Sequence, residues 1–539
     1  MSAQTIHALF LATASRFPNN PFVTVLPSTA AVYGIDPGEI SYAQMADWVE
    51  AKRQAYASAG ICPGDRIGIL VENRPVYFVH WFALNALGAS LVPINPDLRQ
   101  AELAYMIGHS EMRLAVVLEN RREDLLAAAA EAGRVLPIIG PDDAVPVFGT
   151  ASAVLAPDAN TEAALLYTSG TTGRPKGCVL TNTYFLNAGS WYRDQGGYIA
   201  LNDGSERMLT PLPLFHMNAM ATSTMAMLTV GGCLCVLDRF HPRQWWSDVA
   251  AFRATIVHYL GVMPPMLMNA PATEADNKTG VRFGFGAGVD RRLHAAFEAR
   301  FGFPLIEAWA MTETGGGAVI VANRDPRHVG TNCFGRPGPE TDVRVVADDG
   351  ADAETETPGE LLVRRSGPDP RHGFFSAYLK DASAIDEAWQ GGWFHTGDVV
   401  RQDADGYLYF VDRKKNVIRR SGENISAVEV ESVLMQHPGI AAVAVAAVPD
   451  PLRGDEVFAC IVLKSDGDRS EGEAVAFDIT QFCLKRLAYY KAPGYIAFVE
   501  QLPLTSTQKI QRGALKDLVA ERAASPATIS TVHLKKRAS

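Results

Sequence analysis

The chain has 539 residues, which is too long for one ordinary hydrophobic core and predicts a large domain followed by a smaller one. Apolar residues make up 47% and charged residues 20%, as in ordinary globular proteins, and the net charge of -10 gives no reason to expect a nucleic-acid partner. Residues 1–10 lack a secretory pattern, and no apolar run is long enough to span a membrane. The seven cysteines are few, so we expect a cytoplasmic protein, with Cys233 and Cys235 as a packed, reduced pair on one strand face.

Short apolar runs alternate with helical stretches along the first four-fifths of the chain. Leu114–Leu118 is typical of a buried strand, Arg121–Ala132 of a helix, and Val135–Ile139 of the next strand despite Pro137. This alternation predicts a layered α/β architecture with largely parallel sheets. Further strands of this kind are expected at Arg66–Val71, Ser90–Ile94, Gly232–Leu237 and Thr255–Val262.

The pattern changes after about Pro339. Two short β-like runs, Asp342–Ala347 and Glu360–Arg364, predict a smaller β-rich sub-domain. The charged stretch Asp412–Asn416 precedes a new apolar pattern and is the predicted domain boundary. The last segment is expected to end in a solvated basic tail, Lys535–Arg537. Before that tail, two strands and a helix are expected at Ala441–Val448, Val457–Leu463 and Ile479–Ala488.

An apolar strand leads into a loop rich in glycine and hydroxyl groups at Leu165–Gly177. Glycines let a backbone turn its N–H groups towards an anion, and Lys176 adds a point charge suited to a polyphosphate. The loop is not a Walker A motif, because Lys176 is followed by Gly177 instead of Ser or Thr. We therefore expect another kind of phosphate loop, with hydroxyl donors at Thr168, Ser169, Thr171 and Thr172.

Thr168–Gly177 resembles the signature loop of the adenylate-forming superfamily: acyl-CoA synthetases, adenylation domains of peptide synthetases, and beetle luciferases. The resemblance extends from about Ile40 to Leu515, nearly the whole chain. It implies a carboxylic acid–CoA ligase that uses ATP, Mg²⁺ and CoA. The loop would then hold the β- and γ-phosphates of ATP through Thr168, Ser169, Gly170, Thr171, Thr172, Gly173 and Lys176.

The element pattern and the resemblance together predict an α/β fold in two domains. The large N-terminal domain, residues 1–412, would combine layered αβ sub-domains with the β-rich sub-domain. Residues 413–416 would form a hinge, and residues 417–539 a small, mobile α+β C-terminal domain that carries the catalytic lysine.

His216 belongs to a further motif, Thr210–Asn218, and the resemblance makes it part of the gate to an acyl pocket. A glycine cluster follows at Gly284–Gly288, whose backbone would lie along the adenine and the acyl group. Together with the start of the next motif, it implies nucleotide contacts at Gly286, Ala287, Gly288, Glu307, Ala308 and Trp309.

The motif Glu307–Glu313 departs from the superfamily pattern at two positions. Trp309 stands where Tyr is usual and offers a larger aromatic face for stacking on adenine. Ala310 stands where Gly is usual, so its methyl group is expected to reshape the acyl pocket. By resemblance, Thr312 binds the α-phosphate and Glu313 holds Mg²⁺, a cation that prefers carboxylate oxygens.

Asp398 ends the motif Gly-Trp-Phe-His-Thr-Gly-Asp and, by resemblance, would accept hydrogen bonds from both ribose hydroxyls. Arg413, in the hinge motif, would contact the ribose and phosphate side of the nucleotide, and Lys415 would lie at the pivot. Gly422 would border the pantetheine tunnel of CoA once the small domain has turned, because a residue without a side chain leaves room there.

Lys509 lies in the closing motif and is the candidate catalytic lysine, although Gln508 stands where this motif usually has Gly. An ammonium group can bridge the attacking carboxylate and the α-phosphate of ATP. In the second step, rotation of the small domain would remove Lys509 and bring Gly422 to the thiol. Catalytic roles are therefore implied for Lys509, Thr312, Glu313 and His216.

The acyl pocket is expected to be mostly apolar and to suit a medium-sized acid, with no obvious cation for a second carboxylate. Asp412–Glu431 looks most like carnitine/crotonobetaine–CoA ligases and medium-chain acyl-CoA synthetases. The predicted lining is Met217, Asn218, Thr222, Val262, Met263, Gly286, Trp309, Ala310 and Gly315–Gly317.

Other functions stay open on the sequence alone. One is an adenylation enzyme that loads an acyl or amino acid onto a carrier-protein phosphopantetheine thiol, and another is a luciferase-like oxygenase. A non-catalytic nucleotide-binding sensor is a third, although the joint presence of Lys509, Glu313 and Asp398 argues against it. The acid, the pathway and the oligomeric state, including a homodimer, also stay open.

Overall fold

The structure of the chain is a computed structural model. It describes residues 3–98, 100–149, 156–168, 175–274, 276–347, 349–413, 417–420, 423–450, 454–464, 472–487, 489–504 and 510–535. For residues 417, 419, 423, 424 and 454 it describes the backbone alone. No helix within these ranges has the length and apolar character needed to cross a lipid bilayer.

Strands and helices alternate along most of the described chain. The strands are β1 (Pro21–Val25), β2 (Gly38–Ser41), β3 (Arg66–Leu70), β4 (Ser90–Pro93), β5 (Leu114–Val117), β6 (Ile138–Ile139), β7 (Glu162–Thr168), β8 (Lys176–Thr181), β9 (Arg207–Thr210), β10 (Cys233–Val236), β11 (Ile256–Leu260), β12 (Phe283–Ala287), β13 (Leu305–Trp309), β14 (Ile320–Val321), β15 (Cys333–Gly335), β16 (Thr341–Val346), β17 (Gly359–Arg365), β18 (Ala377–Tyr378), β19 (Phe394–Gln402), β20 (Leu408–Arg413), β21 (Val417–Arg420), β22 (Glu423–Ser426), β23 (Ile440–Asp450), β24 (Gly454–Leu463), β25 (Tyr495–Phe498) and β26 (Ile529–Ser530). The helices are α1 (Ile6–Arg16), α2 (Pro27–Tyr33), α3 (Tyr42–Ser58), α4 (Val76–Ala86), α5 (Gln100–Ser110), α6 (Arg122–Glu131), α7 (Asn182–Asp194), α8 (Thr224–Val230), α9 (Trp245–Phe252), α10 (Met263–Met268), α11 (His294–Phe301), α12 (Ala382–Ala388), α13 (Ala427–Leu434), α14 (Gly472–Leu484) and α15 (Arg512–Ala523), and a π-helical turn spans Asn218–Ser223.

Two large sheets form the framework of the N-terminal part. The first has the strand order β14-β13-β12-β11-β9-β10-β1-β2 and the second has the order β18-β8-β7-β4-β3-β5-β6. Their inner strands pair in parallel, whereas β2, β14, β8 and β18 pair antiparallel at the edges. The predicted α/β architecture with largely parallel sheets is confirmed.

Helices cover both faces of each sheet, which explains the nearly continuous apolar runs of the strands. Helices α1, α3, α4, α7 and α8 share one core with the inner faces of both sheets. Helices α9–α11 pack on the outer face of the first sheet, and α5 and α6 pack on that of the second. In β5, Leu114 and Val116 face the inner core while Ala115 and Val117 face the outer one.

Two smaller sheets follow along the chain. A five-stranded antiparallel sheet, β15-β20-β19-β17-β16, confirms the predicted β-rich part. The C-terminal sheet has the order β22-β21-β24-β25-β26, with β23 also paired to β24, and lies between α13 and α14 on one face and α15 on the other. Sheet membership changes between Arg413 and Val417. The domain division and the hinge expected there stay predictions.

Two elements differ from their predicted bounds. The strand expected at residues 135–139 is reduced to β6, because Pro137 accepts a hydrogen bond from the N–H of Ala115 but has no N–H to return. The helix expected at residues 479–488 is α14, which begins at Gly472 and ends at Leu484. Its buried residues recur along one face from its first turns, so its apolar pattern begins earlier than expected.

Lys535 is buried, which corrects the predicted solvated tail. Its ammonium group forms an ion pair with Glu456, and both side chains are fully buried. Arg420 Nε donates to the other carboxylate oxygen of Glu456 at 2.8 Å. A buried carboxylate needs such partners, so Lys535 serves the interior of the C-terminal part. The other two residues of the predicted tail, Lys536 and Arg537, lie outside the described residues.

Replacing Lys535 with Met should destabilise the protein, because Glu456 would stay buried with one cationic partner fewer. We expect a loss of about 3 kcal/mol, the lower end of the cost of breaking a buried ion pair, since Arg420 remains. Urea unfolding of the full chain measures this loss. Lys516 is an exposed lysine on α15, and its replacement with Met is the matched control. Equal unfolding midpoints for the two variants would contradict the structural role of Lys535.

Candidate active site

The residues predicted to contact the nucleotide lie where parallel strands of the first sheet end. β12 and β13 are parallel neighbours, with Gly286 opposite Glu307. β11 runs parallel on the other side of β12, with Tyr259 opposite Gly286. The carboxyl ends of parallel strands meet at one edge of a sheet, where α/β proteins bind ligands. The residues brought to this edge are Gly286, Ala287, Gly288, Glu307, Ala308 and Trp309.

Glu307 braces the loop that follows β12. Its buried carboxylate accepts hydrogen bonds from the Tyr259 hydroxyl at 2.6 Å, the Gly288 N–H at 2.9 Å and the Val289 N–H at 3.2 Å. Burial raises the pKa of Glu307, while these donors favour its charged form. Gly286 has to lack a side chain here, because a Cβ atom would lie 2.3 Å from the Tyr259 carbonyl oxygen.

Asp398 and Trp309, which the sequence places in different motifs, are in direct contact. Trp309 Nε1 donates to Asp398 Oδ2 at 2.9 Å. Arg413 Nε lies 3.0 Å from Asp398 Oδ1 without the alignment of a hydrogen bond, so Oδ1 is a buried acceptor suited to a hydroxyl donor. Asp398 is 2% exposed, and this burial raises its pKa, whereas Arg413 and the Trp309 hydrogen bond lower it. We call these three residues the ribose-side cluster, after the role predicted for Asp398.

Lys176, Tyr378 and Glu313 form a second cluster, which we call the phosphate-side cluster after the predicted roles of its charged residues. Lys176 Nζ lies 4.8 Å from the centre of the Tyr378 ring and 4.0 Å from Asp381 Oδ2. The Tyr378 hydroxyl donates to Glu313 Oε1 at 3.0 Å, and Glu313 is buried. The structure thus brings together a lysine and a carboxylate that are far apart in the sequence.

Two more predicted residues lie at the phosphate-side cluster. Thr168 ends β7 and pairs with Lys176, the first residue of β8. Thr312 precedes Glu313, and its carbonyl oxygen accepts a hydrogen bond from the Tyr184 hydroxyl at 2.8 Å, which fixes the turn after β13. The loop residues Ser169, Gly170, Thr171, Thr172 and Gly173 lie outside the described residues, as do Lys415, Gly422, Gln508 and Lys509.

Glu313 is the residue of this cluster that fits a magnesium ion. Within the described part of the chain, no group of three or more His, Cys, Asp and Glu side chains is placed to hold a metal. Mg²⁺ does not require such a group, because it commonly takes one or two carboxylates and completes its shell with water and substrate phosphates. A single buried carboxylate, joined to Lys176 through the Tyr378 side chain, suits that mode of binding.

A cavity of about 80 Å³ adjoins the ends of β12 and β13. Among the described residues that line it, none carries a charge. Its lining includes seven of the residues predicted for the acyl pocket: Met217, Asn218, Thr222, Gly286, Ala310, Gly315 and Gly316. It also includes residues not predicted for it: Ala188, Trp191, Phe285, Ala287, Ala308 and Val319.

The differences from the predicted lining have a structural origin. Val262, Met263, Trp309 and Gly317 are not among the lining residues. Met263 is buried in the outer core with α9–α11, and the Trp309 indole is directed to Asp398. Helix α7 contributes residues that sequence motifs do not mark, because its contact with the cavity depends on how it packs between the sheets.

His216 is exposed and lies next to the cavity in sequence, since the following residue, Met217, lines it. The N–H of His216 donates to the Pro213 carbonyl at 3.1 Å, and its ring lies 4.6 Å from that of Phe215. Its role as a gate stays a prediction. His258 on β11 is a buried residue that the motifs missed, because it lies within an otherwise apolar strand.

The match to a known family is extensive. The model of the AMP-binding enzyme family matches residues 11–374, and that of the AMP-binding enzyme C-terminal domain matches residues 429–509. The chain belongs to the AMP-binding enzyme family. The resemblance to the adenylate-forming superfamily is therefore confirmed.

Characterised members of the family are similar over most of their length. The chain is 31% identical over 498 residues to crotonobetaine/carnitine–CoA ligase of Salmonella paratyphi A, covering 89% of this chain and 93% of the relative. It is 31% identical over 519 residues to sulfoacetate–CoA ligase of Cupriavidus necator, covering 94% and 96%. Among solved structures, o-succinylbenzoate CoA synthetase from Bacillus subtilis in complex with its acyl-adenylate intermediate has a TM-score of 0.80 at 22% identity, covering 96% of this chain and 99% of that one, and this likeness shows the fold.

These comparisons confirm the predicted enzyme class, an AMP-forming acid–CoA ligase that uses ATP and CoA as substrates.

Replacing Trp309 with Phe should weaken the use of ATP, because Asp398 would lose a hydrogen bond to its charged form. We expect kcat/KM for ATP to fall roughly 10- to 100-fold, from the usual contribution of a hydrogen bond to a charged group. The pKa of Asp398 should also rise, because its charged form loses a hydrogen bond. The acidic limb of the pH profile should therefore move to higher pH than in the unaltered protein. The pH profile of kcat/KM measures both effects. Trp246 packs on Phe301 away from the site, and its replacement with Phe is the control. An unchanged acidic limb in the Trp309 variant would contradict the role of this hydrogen bond.

Proposed function

We propose that this enzyme joins a carboxylic acid with a compact, uncharged acyl group to CoA through an acyl-AMP intermediate. The observation that carries the proposal is that one segment, Trp309–Gly316, contributes to all three parts of the site. Trp309 belongs to the ribose-side cluster, Glu313 belongs to the phosphate-side cluster, and Ala310 lines the cavity. A nucleotide and an acyl group bound to these three parts would meet at this segment.

In the first step, the substrate carboxylate attacks the α-phosphorus of ATP and pyrophosphate leaves. Both reactants are anions, so the protein has to neutralise charge and align them, and no proton transfer is needed. Lys176 would face the leaving phosphates, Thr312 would hydrogen-bond the α-phosphate, and Lys509 would bridge the two reacting groups. Mg²⁺ held by Glu313 would, when bound, supply further positive charge to the phosphates.

The ribose-side cluster would hold the other end of the nucleotide. An ionised carboxylate has about four acceptor positions. Trp309 occupies one on Asp398 Oδ2, and Arg413 lies beside Oδ1. Each oxygen therefore keeps acceptor capacity for one of two neighbouring ribose hydroxyls.

In the second step, the CoA thiol attacks the acyl-AMP carbonyl, a thioester forms and AMP leaves. The superfamily resemblance supports a rotation of the C-terminal domain between the two steps. This rotation would move Lys509 away from the acyl-AMP and bring Gly422 beside the pantetheine arm of CoA.

We infer that the acids named for the two curated relatives are not substrates here. Carnitine carries a quaternary ammonium group, and sulfoacetate carries a second anion. The described lining of the cavity contains no charged residue, and burying an unpaired charge is costly. The cavity is small, at about 80 Å³. These properties favour a small or medium-sized neutral acyl group.

We also propose a cytoplasmic location. All seven cysteines are free, and six of them are buried. Cys233 and Cys235 pack in the same core on one face of β10, as expected for a reduced pair. Free thiols are typical of proteins in reducing compartments.

A panel of carboxylic acids, supplied with ATP and Mg²⁺, tests the proposed function through the release of pyrophosphate. The acids differ in whether the acyl group is neutral, cationic or anionic, and are called neutral, cationic and dianionic acids below. We expect neutral acids to give release, CoA to raise turnover, and acyl-CoA to be the product. Stoichiometric acyl-AMP that reacts with a phosphopantetheinyl carrier protein but not with CoA would overturn the choice of acceptor. Turnover with carnitine or sulfoacetate at the rate of the best neutral acid would overturn the substrate class.

Replacing Lys509 with Ala should lower the rate of acyl-AMP formation roughly 10²- to 10³-fold, the usual effect of removing one preorganised electrostatic contact. ATP binding should change little, because Lys176 and the ribose-side cluster remain. Single-turnover adenylation and equilibrium ATP binding separate the two effects. Replacement of the exposed Lys516 with Ala controls for the loss of a lysine near the C-terminus. An unchanged adenylation rate would remove Lys509 from the mechanism.

A further inference from the structure

A buried histidine lies directly behind the acyl cavity. His258 is fully buried, and its ring centre lies 5.1 Å from that of Phe285, which lines the cavity. His258 Nδ1 lies 2.8 Å from Ser223 Oγ and 3.2 Å from Asn218 Oδ1. His258 Nε2 lies 3.2 Å from the Tyr192 hydroxyl. Asn218 is the member of this group that reaches the cavity.

One tautomer of His258 satisfies both of its ring nitrogens and the Tyr192 hydroxyl. Burial lowers the pKa of His258 to about 3, so the ring is neutral at pH 7 and carries one N–H. The Tyr192 hydroxyl contacts His258 Nε2 and no other hydrogen-bond partner among the described residues, so it donates to Nε2. His258 Nδ1 then carries the hydrogen and shares it between Ser223 Oγ at 2.8 Å and Asn218 Oδ1 at 3.2 Å. The opposite tautomer would leave the Tyr192 hydroxyl hydrogen buried without an acceptor.

The network fixes the orientation of the Asn218 amide. Asn218 begins the π-helical turn, and Ser223, at its end, donates to the Asn218 carbonyl oxygen at 3.2 Å. Such turns occur often at functional sites because they place side chains where a regular helix would not. With the carbonyl end of its side chain held by His258, Asn218 is left with its NH₂ group for the cavity.

Trp191 also lines the cavity, but its indole Nε1 is buried away from the cavity space. Trp191 is 7% exposed, and its Nε1 has no hydrogen-bond partner among the described residues. Thr222, the remaining polar lining residue, donates its hydroxyl hydrogen to Met217 Sδ at 3.4 Å. The described lining therefore offers the Asn218 NH₂ group as an N–H donor, and it offers no charge.

We propose that the acyl group of the substrate carries a neutral acceptor oxygen, as in a ketone, ether or alcohol, and that this oxygen accepts a hydrogen bond from Asn218. His258 is a positioning residue that acts through Asn218. This inference rests on the proposed function, since it names the chemistry of the acid that is activated.

Matched acids test the proposal with the full chain, ATP, Mg²⁺ and CoA. Hexanoate is compared with ether isosteres in which oxygen replaces the methylene at the β, γ or δ position in turn. Cyclohexanecarboxylate is compared with the tetrahydropyran carboxylates. We expect kcat/KM for the best oxygen-containing acid to exceed that of its hydrocarbon partner by about tenfold or more, because a site built to hydrogen-bond its substrate rejects an analogue that lacks the polar group.

Variants assign this preference to residues. Asn218→Leu should abolish the preference, whereas Thr222→Val should keep it. His258→Phe should reduce it, and His258→Gln, which restores an N–H donor to Asn218, should recover most of it. The readout is the ratio of kcat/KM between the two acids of a pair, because partial loss of folding would lower the rates with both acids alike. If His258→Phe does not fold, the Asn218 variant still decides the question.

Three outcomes would count against the proposal. The proposal would be overturned if kcat/KM for the hydrocarbon acids equalled that for every oxygen isostere. It would also be overturned if the Asn218→Leu variant kept the preference for an oxygen-containing acid. Pyrophosphate release by the hydrocarbon acids in these cases would leave the proposed function intact. No release with any acid of either series would overturn the proposed function, and this inference with it.

Discussion

A single buried carboxylate ties together the three strands that build the site. Glu307 lies on β13, takes a hydrogen bond from the Tyr259 side chain on β11, and holds two backbone N–H groups of the loop after β12. Because the Glu307 carboxylate accepts all three hydrogen bonds from the protein itself, it stabilises the ends of these strands before any ligand is bound. The position of Trp309, two residues further along the same strand, follows from this bracing, and so does the position of Asp398 that Trp309 contacts.

The polar groups of the site are buried and held by protein donors. Asp398 and Glu313 each lie in the interior and accept hydrogen bonds from Trp309 and Tyr378 respectively. Groups held in this way do not have to reorganise when charge develops on a substrate, which is the main source of electrostatic catalysis. Buried carboxylates are stable only when hydrogen-bond donors accompany them, and here the donors come from other motifs. Residues of several separate motifs therefore have to meet at one edge of the sheet.

The sequence predicts what depends on local pattern and misses what depends on packing. The strand and helix order, the parallel sheets and the β-rich part follow from periodicity, and the strand ends that hold Gly286 and Trp309 follow from motif order. The contact between Trp309 and Asp398 joins residues 89 positions apart, so no local pattern encodes it. His258 looks like part of an apolar strand, and Lys535 looks like part of a charged tail. Their roles follow from the partners that the fold brings to them.

The shape of the acyl cavity depends on a close approach between two distant segments. A Cβ atom on Gly316 would lie 2.6 Å from the Ala188 Cα, and one on Gly315 would lie 2.2 Å from the Tyr184 ring. These two glycines therefore let helix α7 pack directly on the turn after β13. That packing brings Ala188 and Trp191 into the cavity wall, opposite the side formed by strand ends. Ala310, directly after β13, lines the same space. The size of the cavity thus depends on both α7 and the turn after β13. Sequence motifs identify the turn, because it belongs to a motif, but they miss α7, which reaches the cavity only through packing.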